Sequence, residues 1–390
     1  MPSRRRAART TPGGPLSVVH IIARLNVGGP ARLLDTLMRH TDPDEVRITV
    51  LAGAVGAGEA DYRDLVAPMA VQAIASLGPT PRPGSDLRAL AELTTTLRRL
   101  APDVVHTHTA KAGVLGRLAA RAAGVPRRVH TYHGHLLSGY FRPAVSTAIT
   151  VSERLLARDT HRLVAIGTAV RDDLLVAGVG RADQWEVHLP GVIQPPHVDR
   201  RVARATLGLP EDVPVVGFVG RLASIKRPDR LAAAILELAA TRPGLHAVIA
   251  GDGPMRAEMV SLLAPVSGRV RVLGWHPQPH LVYAASDLVL LSSDNEGVPL
   301  TLAEAALMGV PAVSTDVGGV RDVVVDGVTG ILTECSVAGL VAGAQALLDD
   351  APRRLRMGSA ARTHAQQRLS IDQMVDAHMC LYRRALTSRH

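Results

Sequence analysis

Short apolar runs alternate with longer segments of helical length along almost the whole chain. The runs at residues 18–23, 213–219 and 288–291 are nearly continuous, a pattern typical of parallel strands that are buried on both faces. Each run is followed by a polar or glycine-rich turn and then by a segment with helical periodicity. This alternation predicts an α/β fold with a parallel sheet in each half of the chain.

The length of 390 residues is enough for two domains that each bury a core. Residues 1–15 (MPSRRRAARTTPGGP) are basic, and we expect them to form a disordered tail. Residues 191–212 are rich in proline and charge, and we expect a linker with a short helix there. These boundaries predict an N-terminal domain of residues 16–190 and a C-terminal domain of residues 191–369.

The stretch after the run at 288–291 carries the clearest chemical signal. Glu296 lies in a polar loop, Pro299 takes a position typical of the first residue of a helix, and the helix is expected to end near Gly309. Glu304 lies about one turn into that helix. Ligands of parallel sheets bind beyond the carboxyl ends of the strands, and a helix start attracts phosphate. Because carboxylates accept hydrogen bonds from sugar hydroxyls, the stretch predicts a sugar-nucleotide site.

A second strand–turn–helix signal carries basic residues. The run at 213–219 ends in Gly220, and Arg221 and Lys226 follow before the next helix. Of the 44 basic residues, only Lys111 and Lys226 are lysines, and an ammonium is not interchangeable with a guanidinium at a phosphate site. Arg221 and Lys226 therefore predict a clamp for phosphate oxygens, with solvated surface charge as the alternative.

A glycine pair follows the first apolar run. Gly28 and Gly29 would let the backbone approach an anion closely, and a tight turn is the alternative. The third glycine of the dinucleotide-binding fingerprint is missing here and also after Gly56-Ala-Gly58. We therefore exclude a nicotinamide-dependent enzyme.

The segment EGVPLTLAEAALMGVPAVST resembles the Glu-x7-Glu motif of retaining GT-B glycosyltransferases of family 4. The pattern GRL…K…D, which begins at Gly220, resembles the diphosphate clamp of the same family. The resemblance covers nearly the whole chain after residue 16. It implies two Rossmann-like parallel-sheet domains that face each other across a cleft, with residues 370–390 returning to the first domain. The segments HTAKAG and HTYHGH are similar to the capsular-polysaccharide (CapM-like) branch.

The resemblance implies transfer of a hexose or N-acetylhexosamine from a nucleotide diphosphate sugar, with uridine the expected base, to a hydroxyl group. It assigns His133 to the donor sugar, Arg221 and Lys226 to the diphosphate, and Glu296 to the orientation of the sugar. The implied donor site further contains Gly28, Gly29, Gly220, Gly274, Trp275, Gly297, Val298, Pro299, Leu300, Thr301 and Glu304.

Several alternatives remain open on the sequence. The expected mechanism uses no enzymic nucleophile, and double displacement through Glu296 or another carboxylate is its rival. A nucleotide-sugar epimerase of GT-B fold is an alternative of another class. A nucleic-acid binder would explain the net charge of +9, but the arginines are spread along the chain without aromatic interleaving, so we expect no nucleic acid.

The acceptor is predicted from an aromatic cluster. Tyr132, Tyr140 and Phe141 fall close together in a chain with few aromatic residues, and with Lys111 they are the candidate acceptor contacts. The alternative is an anchor for a long loop. We expect a lipid-linked saccharide of surface-polysaccharide assembly as the acceptor, with a small secondary metabolite as the alternative.

Metal ligands are not expected. His106 and His108 form a His-x-His pair that could ligate a metal, but we expect no third ligand nearby, and a wet cleft edge explains the pair equally well. Asp42-Pro-Asp44 precedes a strand rather than ending one, so a solvated turn is the better interpretation. We predict neither a metal nor a cofactor.

Composition bounds the location. No apolar run approaches the roughly 18 residues of a membrane span, and Cys335 and Cys380 lack metal-site spacing, which favours reduced thiols in a cytoplasm. The preference for arginine over lysine suggests a GC-rich bacterial genome. Residues 145–160 predict an amphipathic helix with Arg154 and Arg158, which would present either a solvated face or a peripheral contact with an anionic membrane.

Overall fold

The computed structural model describes residues 14–26, 29–55, 71–78, 80, 82–134 and 143–387. The chain divides into two compact units, one formed by residues 1–191 with 371–390 and the other by residues 192–370. Each unit contains one sheet whose strands are all parallel, as the alternating pattern predicts. Among the described residues, no helix is both long and apolar enough to cross a membrane.

The first unit contains a seven-stranded sheet of order β3-β2-β1-β4-β5-β6-β7. Its strands are β1 (Leu16–Ile22), β2 (Val46–Ala52), β3 (Val71–Ala73), β4 (Val104–His108), β5 (Arg127–Tyr132), β6 (Arg162–Ala165) and β7 (Trp185–Val187). Its helices are α1 (Gly29–His40), α2 (Pro83–Leu100), α3 (Ala110–Ala123), α4 (Pro143–Ala157) and α5 (Thr168–Val176), together with α13 (Ile371–Thr387) from the end of the chain.

The two faces of the first sheet are covered by different helices. Successive residues of a strand point to opposite faces, so Val18 and Ile22 pack with α1 and α13 while Val19 and Ile21 pack with α2 and α3. Both faces are buried, which explains why β1 is apolar at nearly every position. The one polar side chain in the middle of β1, that of His20, is therefore buried on the side of α13.

The second unit contains a six-stranded sheet of order β10-β9-β8-β11-β12-β13. Its strands are β8 (Val215–Val219), β9 (His246–Ala250), β10 (Val270–Gly274), β11 (Leu288–Leu291), β12 (Ala312–Thr315) and β13 (Gly330–Thr333). Its helices are α6 (Arg200–Thr206), α7 (Pro228–Thr241), α8 (Arg256–Leu262), α9 (Pro279–Ala285), α10 (Leu300–Leu307), α11 (Val337–Leu348) and α12 (Ala351–Arg368).

The strand order places two positions at which ligands of such sheets bind. The order reverses between β1 and β4 in the first unit and between β8 and β11 in the second, and crevices form beyond the carboxyl ends of such strand pairs. The bounds of β11 agree with the sequence prediction, whereas β1 begins two residues before the predicted start at residue 18. Apolar patterning does not specify where hydrogen bonding to the neighbouring strand begins, so the ends are its weakest prediction.

Candidate active site

The loops beyond β8 and β11 bring together two residues that the sequence selects separately. Lys226 lies in a short 3-10 turn after β8, and Glu296 lies in the loop after β11. The ammonium of Lys226 donates to both carboxylate oxygens of Glu296, at 2.5 and 2.6 Å, and the Ser293 hydroxyl donates to one of them at 2.5 Å. Glu296 is only 8% exposed. A buried carboxylate is thus held by an ion pair and a hydroxyl at the strand edge where a ligand would bind.

Backbone contacts fix the two loops against each other. The Ser292 hydroxyl donates to the carbonyl of Lys226 at 2.8 Å, and the Asp294 amide donates to the carbonyl of Ile225 at 2.9 Å. Arg230, from α7, donates to the carbonyl of Ser292 at 2.7 Å and pairs with Asp294 at 2.8 Å. The position of the ion pair is therefore set by strand-end geometry rather than by the two side chains alone.

Two further glycines support the Glu296 loop, and the sequence analysis did not select them. A Cβ on Gly318 would lie 2.0 Å from the carbonyl oxygen of Glu296, and a Cβ on Gly319 would lie 1.8 Å from that of Gly297. The amide of Gly319 donates to the Glu296 carbonyl at 3.1 Å. The signal that could have found them is the same as for Gly28 and Gly29: a glycine pair shortly after a strand end.

Arg221 extends from a backbone that is clamped on both sides. The amide of Gly220 donates to the carbonyl of Ala250 at 3.0 Å, and that of Leu222 donates to the carbonyl of Asp252 at 2.9 Å. The side chain of Arg221 is exposed, and within the described ranges it has neither an ion-pair nor a hydrogen-bond partner. A fixed backbone with an unpaired guanidinium is the arrangement that an anion clamp requires.

Helix α10 begins one residue later than the sequence analysis predicts. Pro299 is the residue before the helix rather than its first residue, and no side chain caps the helix. The first-turn N–H groups, including those of Leu300 and Thr301, therefore lack intrahelical acceptors and suit an anion. Val298 is buried, while Gly297, Leu300 and Thr301 are half-buried.

Glu304 lies on α10 and is half-buried. The hydroxyl of Tyr283, a buried residue of α9, donates to its carboxylate at 2.9 Å. Glu304 is therefore oriented by a neighbouring helix.

Gly274 and Trp275, two further residues of the predicted donor site, differ in their surroundings. Gly274, at the end of β10, has a positive φ of 72°, and its carbonyl accepts from the amide of Gly251 at 2.8 Å. The following Trp275 is 75% exposed.

The histidines of β4 are not at a wet edge. His106 and His108 are fully buried, and His20 of β1 adjoins them, because His20 and His106 are register partners in adjacent strands. Both expectations for this pair, a wet edge and no third ligand nearby, are wrong, because His20 lies close in space although it is far away in the chain. Nitrogen atoms of the three rings lie within 4.8 Å of one another, and imidazole is a ligand for zinc, copper, iron and nickel.

The same rings are already joined by hydrogen bonds. His20 Nδ1 and His108 Nε2 are 2.8 Å apart, so one proton lies between these two nitrogens. A metal bound to either of these two nitrogens would break that hydrogen bond. His133 continues the contact, because its Nε2 lies 2.9 Å from Nδ1 of His108.

Burial keeps these imidazoles neutral. It lowers the pKa of His20 to about 3 and the pKa of His133 to about 4. Burial also lowers the pKa of His106 and of His108 well below its usual range, and the neighbouring histidines lower it further.

The backbone is strained where β4 leads into α3. Thr109, which follows His108, has a φ of 65° at the start of α3, and strained residues of this kind cluster near functional sites.

Two predicted acceptor contacts have structural partners instead. The ammonium of Lys111 pairs with Asp86 of α2 at 2.5 Å and donates to the carbonyl of Thr80 at 2.7 Å. Tyr132 is 1% exposed, and its hydroxyl donates to buried Glu153 at 2.6 Å. We therefore correct both assignments: Lys111 and Tyr132 hold the first unit together.

Three other predicted residues fall at or beyond the edge of the described ranges. Gly28, Tyr140 and Phe141 lie outside them, as does most of the predicted tail. Gly29 is described and is the exposed first residue of α1, the helix that follows β1 in the chain.

Comparison with known proteins identifies two family regions. Residues 28–191 match the glycosyl transferase 4-like domain, and residues 199–364 match the glycosyl transferases group 1. The D-inositol 3-phosphate glycosyltransferase of Corynebacterium aurimucosum is 35% identical over 286 residues, which are 68% of this chain and 68% of that protein. The enzyme of the same name from Mycobacterium avium is 35% identical over 309 residues, 73% of this chain and 70% of its own length.

Solved structures show the fold. The crystal structure of Anabaena Alr3699/HepE in complex with UDP and glucose matches with a TM-score of 0.78 and 23% identity, over 94% of this chain and 99% of that one. A glycosyltransferase from Rickettsia africae matches with a TM-score of 0.80 and 16% identity, over 96% of this chain and 100% of that one. The expected GT-B fold is thereby confirmed.

Proposed function

We propose, from the premise that this chain belongs to the group 1 glycosyltransferases with a glycosyltransferase 4-like N-terminal domain, that it transfers a hexose or N-acetylhexosamine from a UDP-sugar to a hydroxyl group with retention. The observation that carries the proposal is the Lys226–Glu296 pair at the edge where β8 and β11 end, in which the carboxylate is buried and the ammonium is partly exposed. A cation for phosphate and a carboxylate for sugar hydroxyls are the two groups that such a donor needs side by side.

Charge on the departing diphosphate is stabilised by three elements of the second unit. Arg221 offers a guanidinium without a protein partner among the described residues, and Lys226 retains one N–H beyond the two that it donates to Glu296. The start of α10 adds unpaired backbone N–H groups. Loss of one donor of this type costs roughly 100- to 1000-fold in turnover.

Glu296 is better suited to orient the donor sugar than to attack it. Lys226 and Ser293 already occupy lone pairs of its carboxylate, which weakens it as a nucleophile and leaves it able to accept from a sugar hydroxyl. Double displacement through Glu296 remains the rival mechanism. Mass spectrometry of enzyme incubated with donor alone decides between them, because double displacement would add one glycosyl group to the peptide that contains Glu296.

Two acceptors follow from different observations. The HTAKAG and HTYHGH segments favour a lipid-linked saccharide of surface-polysaccharide assembly, which is our first candidate. The curated relatives at 35% identity are D-inositol 3-phosphate glycosyltransferases, which favours a phosphorylated inositol as the second candidate. Transfer to a secondary metabolite is a third acceptor class. The epimerase alternative is set aside because the relatives are transferases.

A panel of acceptors tests the proposal directly. Purified enzyme is incubated with UDP-glucose, UDP-galactose or UDP-N-acetylglucosamine and with D-inositol 3-phosphate, inositol or a bacterial lipid extract, and products are identified by mass spectrometry. We expect UDP release together with a glycosylated product, and none with Lys226→Ala. Interconversion of UDP-sugars without an acceptor product would contradict transfer and restore the epimerase.

We also propose a peripheral membrane contact through α4, as a lipid-linked acceptor would require. Val151 and Leu155 are 47% and 56% exposed on this helix, and Arg158 follows it on the surface. Apolar side chains beside basic ones favour an anionic bilayer surface. We expect the protein to bind phosphatidylglycerol vesicles but not phosphatidylcholine vesicles, and we expect the double variant Val151→Ser/Leu155→Ser to lose this binding. If the variant bound phosphatidylglycerol vesicles as well as the wild type does, the proposed contact would be contradicted.

A further inference from the structure

A continuous chain of hydrogen bonds runs through the core of the first unit. It consists of five bonds between six side chains, with donor–acceptor distances from 2.6 to 3.1 Å. The order is Thr131 Oγ1, His106 Nε2 and Nδ1, Tyr382 OH, His20 Nε2 and Nδ1, His108 Nε2 and Nδ1, and His133 Nε2. All members except His133 are at most 1% exposed, and His133 is half-buried.

The topology of the unit assembles this chain. In the adjacent strands β1, β4 and β5, His20 pairs with His106 and His108 pairs with Thr131, so their side chains share the face of the sheet that α13 covers. Tyr382 reaches the centre of the chain from α13, 276 residues after His106. The last helix of the protein therefore supplies the one hydroxyl that connects His106 to His20.

Neutral imidazoles allow only two arrangements of protons along the chain. Each neutral ring carries one N–H and one lone pair, and each hydrogen bond needs one donor and one acceptor. If Tyr382 donates to His20, then His20 donates to His108 and His108 donates to His133 in turn. His133 then carries its proton on Nδ1. If Tyr382 donates to His106 instead, every ring is reversed, and His133 presents a lone pair at Nδ1.

We propose that Tyr382, His20 and His108 are positioning residues that fix the ring tautomer of His133, with N–H on Nδ1 of all four histidines in the chain. This rests on the proposed function for the role of His133 and for the choice of this arrangement over its reverse, because His133 Nδ1 then donates to an oxygen of the donor sugar. A pre-set donor costs no reorganisation when the sugar binds, and a ring free to change tautomer would satisfy the same oxygen only part of the time.

The wild-type protein gives the first test. In protein labelled with 15N on histidine, long-range 1H–15N correlation reports which ring nitrogen carries the proton, with signals assigned through single histidine-to-glutamine variants. We expect each of His20, His106, His108 and His133 to be neutral at pH 7, with its single N–H on Nδ1. Mixed tautomers among the four rings would overturn the proposal, as would one equivalent of a transition metal bound to His20, His106 and His108.

Tyr382→Phe gives the second test, because it removes one hydroxyl and preserves the packing of the ring. We expect His133 to become a mixture of tautomers and kcat to fall about 3- to 10-fold, while the donor KM is unchanged. Tyr132→Phe is the matched control: it also removes a buried hydroxyl of this unit, and we expect the His133 tautomer to stay as in the wild type. If His133 kept a single, unchanged tautomer in Tyr382→Phe, the proposal that Tyr382 sets this tautomer would be refuted.

These readouts are separable from the proposed function. The tautomer is measured without any substrate, so it stands or falls whichever sugar and acceptor the enzyme uses. If the four rings share the Nδ1–H tautomer but no glycosyl transfer is found, the tautomer proposal holds and the proposed function fails. If transfer is found but the four rings have mixed tautomers, the proposed function holds and the tautomer proposal fails.

Discussion

The Lys226–Glu296 pair should behave as one energetic unit, and a double-mutant cycle measures this. Lys226→Met leaves the carboxylate of Glu296 nearly buried with only the Ser293 hydroxyl as a described donor. Removal of one partner of a fully buried pair costs about 3–5 kcal/mol. Because the Lys226 side chain is 24% exposed, we expect about 2–3 kcal/mol, and about 1 kcal/mol for Glu296→Gln, whose amide oxygen still accepts from Lys226.

The double variant should be more stable than the sum of the two changes predicts. A glutamine at position 296 needs no counter-ion, so loss of Lys226 should then cost little, giving a coupling of about 1–2 kcal/mol. Urea-induced unfolding of the four proteins, followed by circular dichroism, measures it. The surface pair Arg321–Asp316 is the control, and the cycle Arg321→Met/Asp316→Asn should couple by less than about 1 kcal/mol. Additivity at Lys226 and Glu296 within about 0.5 kcal/mol would refute the reasoning.

Four further predictions follow from the second unit. Arg221→Ala should unfold like the wild type, because its guanidinium has no partner among the described residues, yet lose about 100-fold or more in turnover; wild-type rates would contradict the clamp. Glu296→Gln should mainly lower kcat with near-normal UDP binding, whereas Glu304→Gln should mainly raise the donor KM and weaken UDP; calorimetry giving the reverse would exchange their roles. Gly319→Ala should displace the Glu296 loop and cut activity at least tenfold, which unchanged kinetics would disprove. Activity should persist in EDTA, and its loss with recovery in magnesium or manganese would show a metal requirement.

Local pattern determined the class of fold and the sheet edge to which we assign the donor site. Apolar runs flanked by turns identify parallel strands because both faces of such strands are buried, and the carboxyl ends of those strands meet at one edge. Hence Lys226 and Glu296, seventy residues apart, could be assigned to one site before any contact was known. A strand period of two also places His106 and His108 of β4 on one face of the sheet.

The tertiary structure decided which faces are covered and by what. The period of two does not tell whether a face meets water or a helix, so the burial of His106 and His108 depended on α13, which lies more than 260 residues later in the chain. In the same way, the contact of Lys111 with Asp86 joins α3 to α2, and the contact of Tyr132 with Glu153 joins β5 to α4; no local sequence signal pairs these elements. A buried donor or acceptor without a partner costs free energy, so a buried polar group needs a hydrogen-bond partner close in space. That partner can lie anywhere in the sequence, which is why only the tertiary structure identifies it.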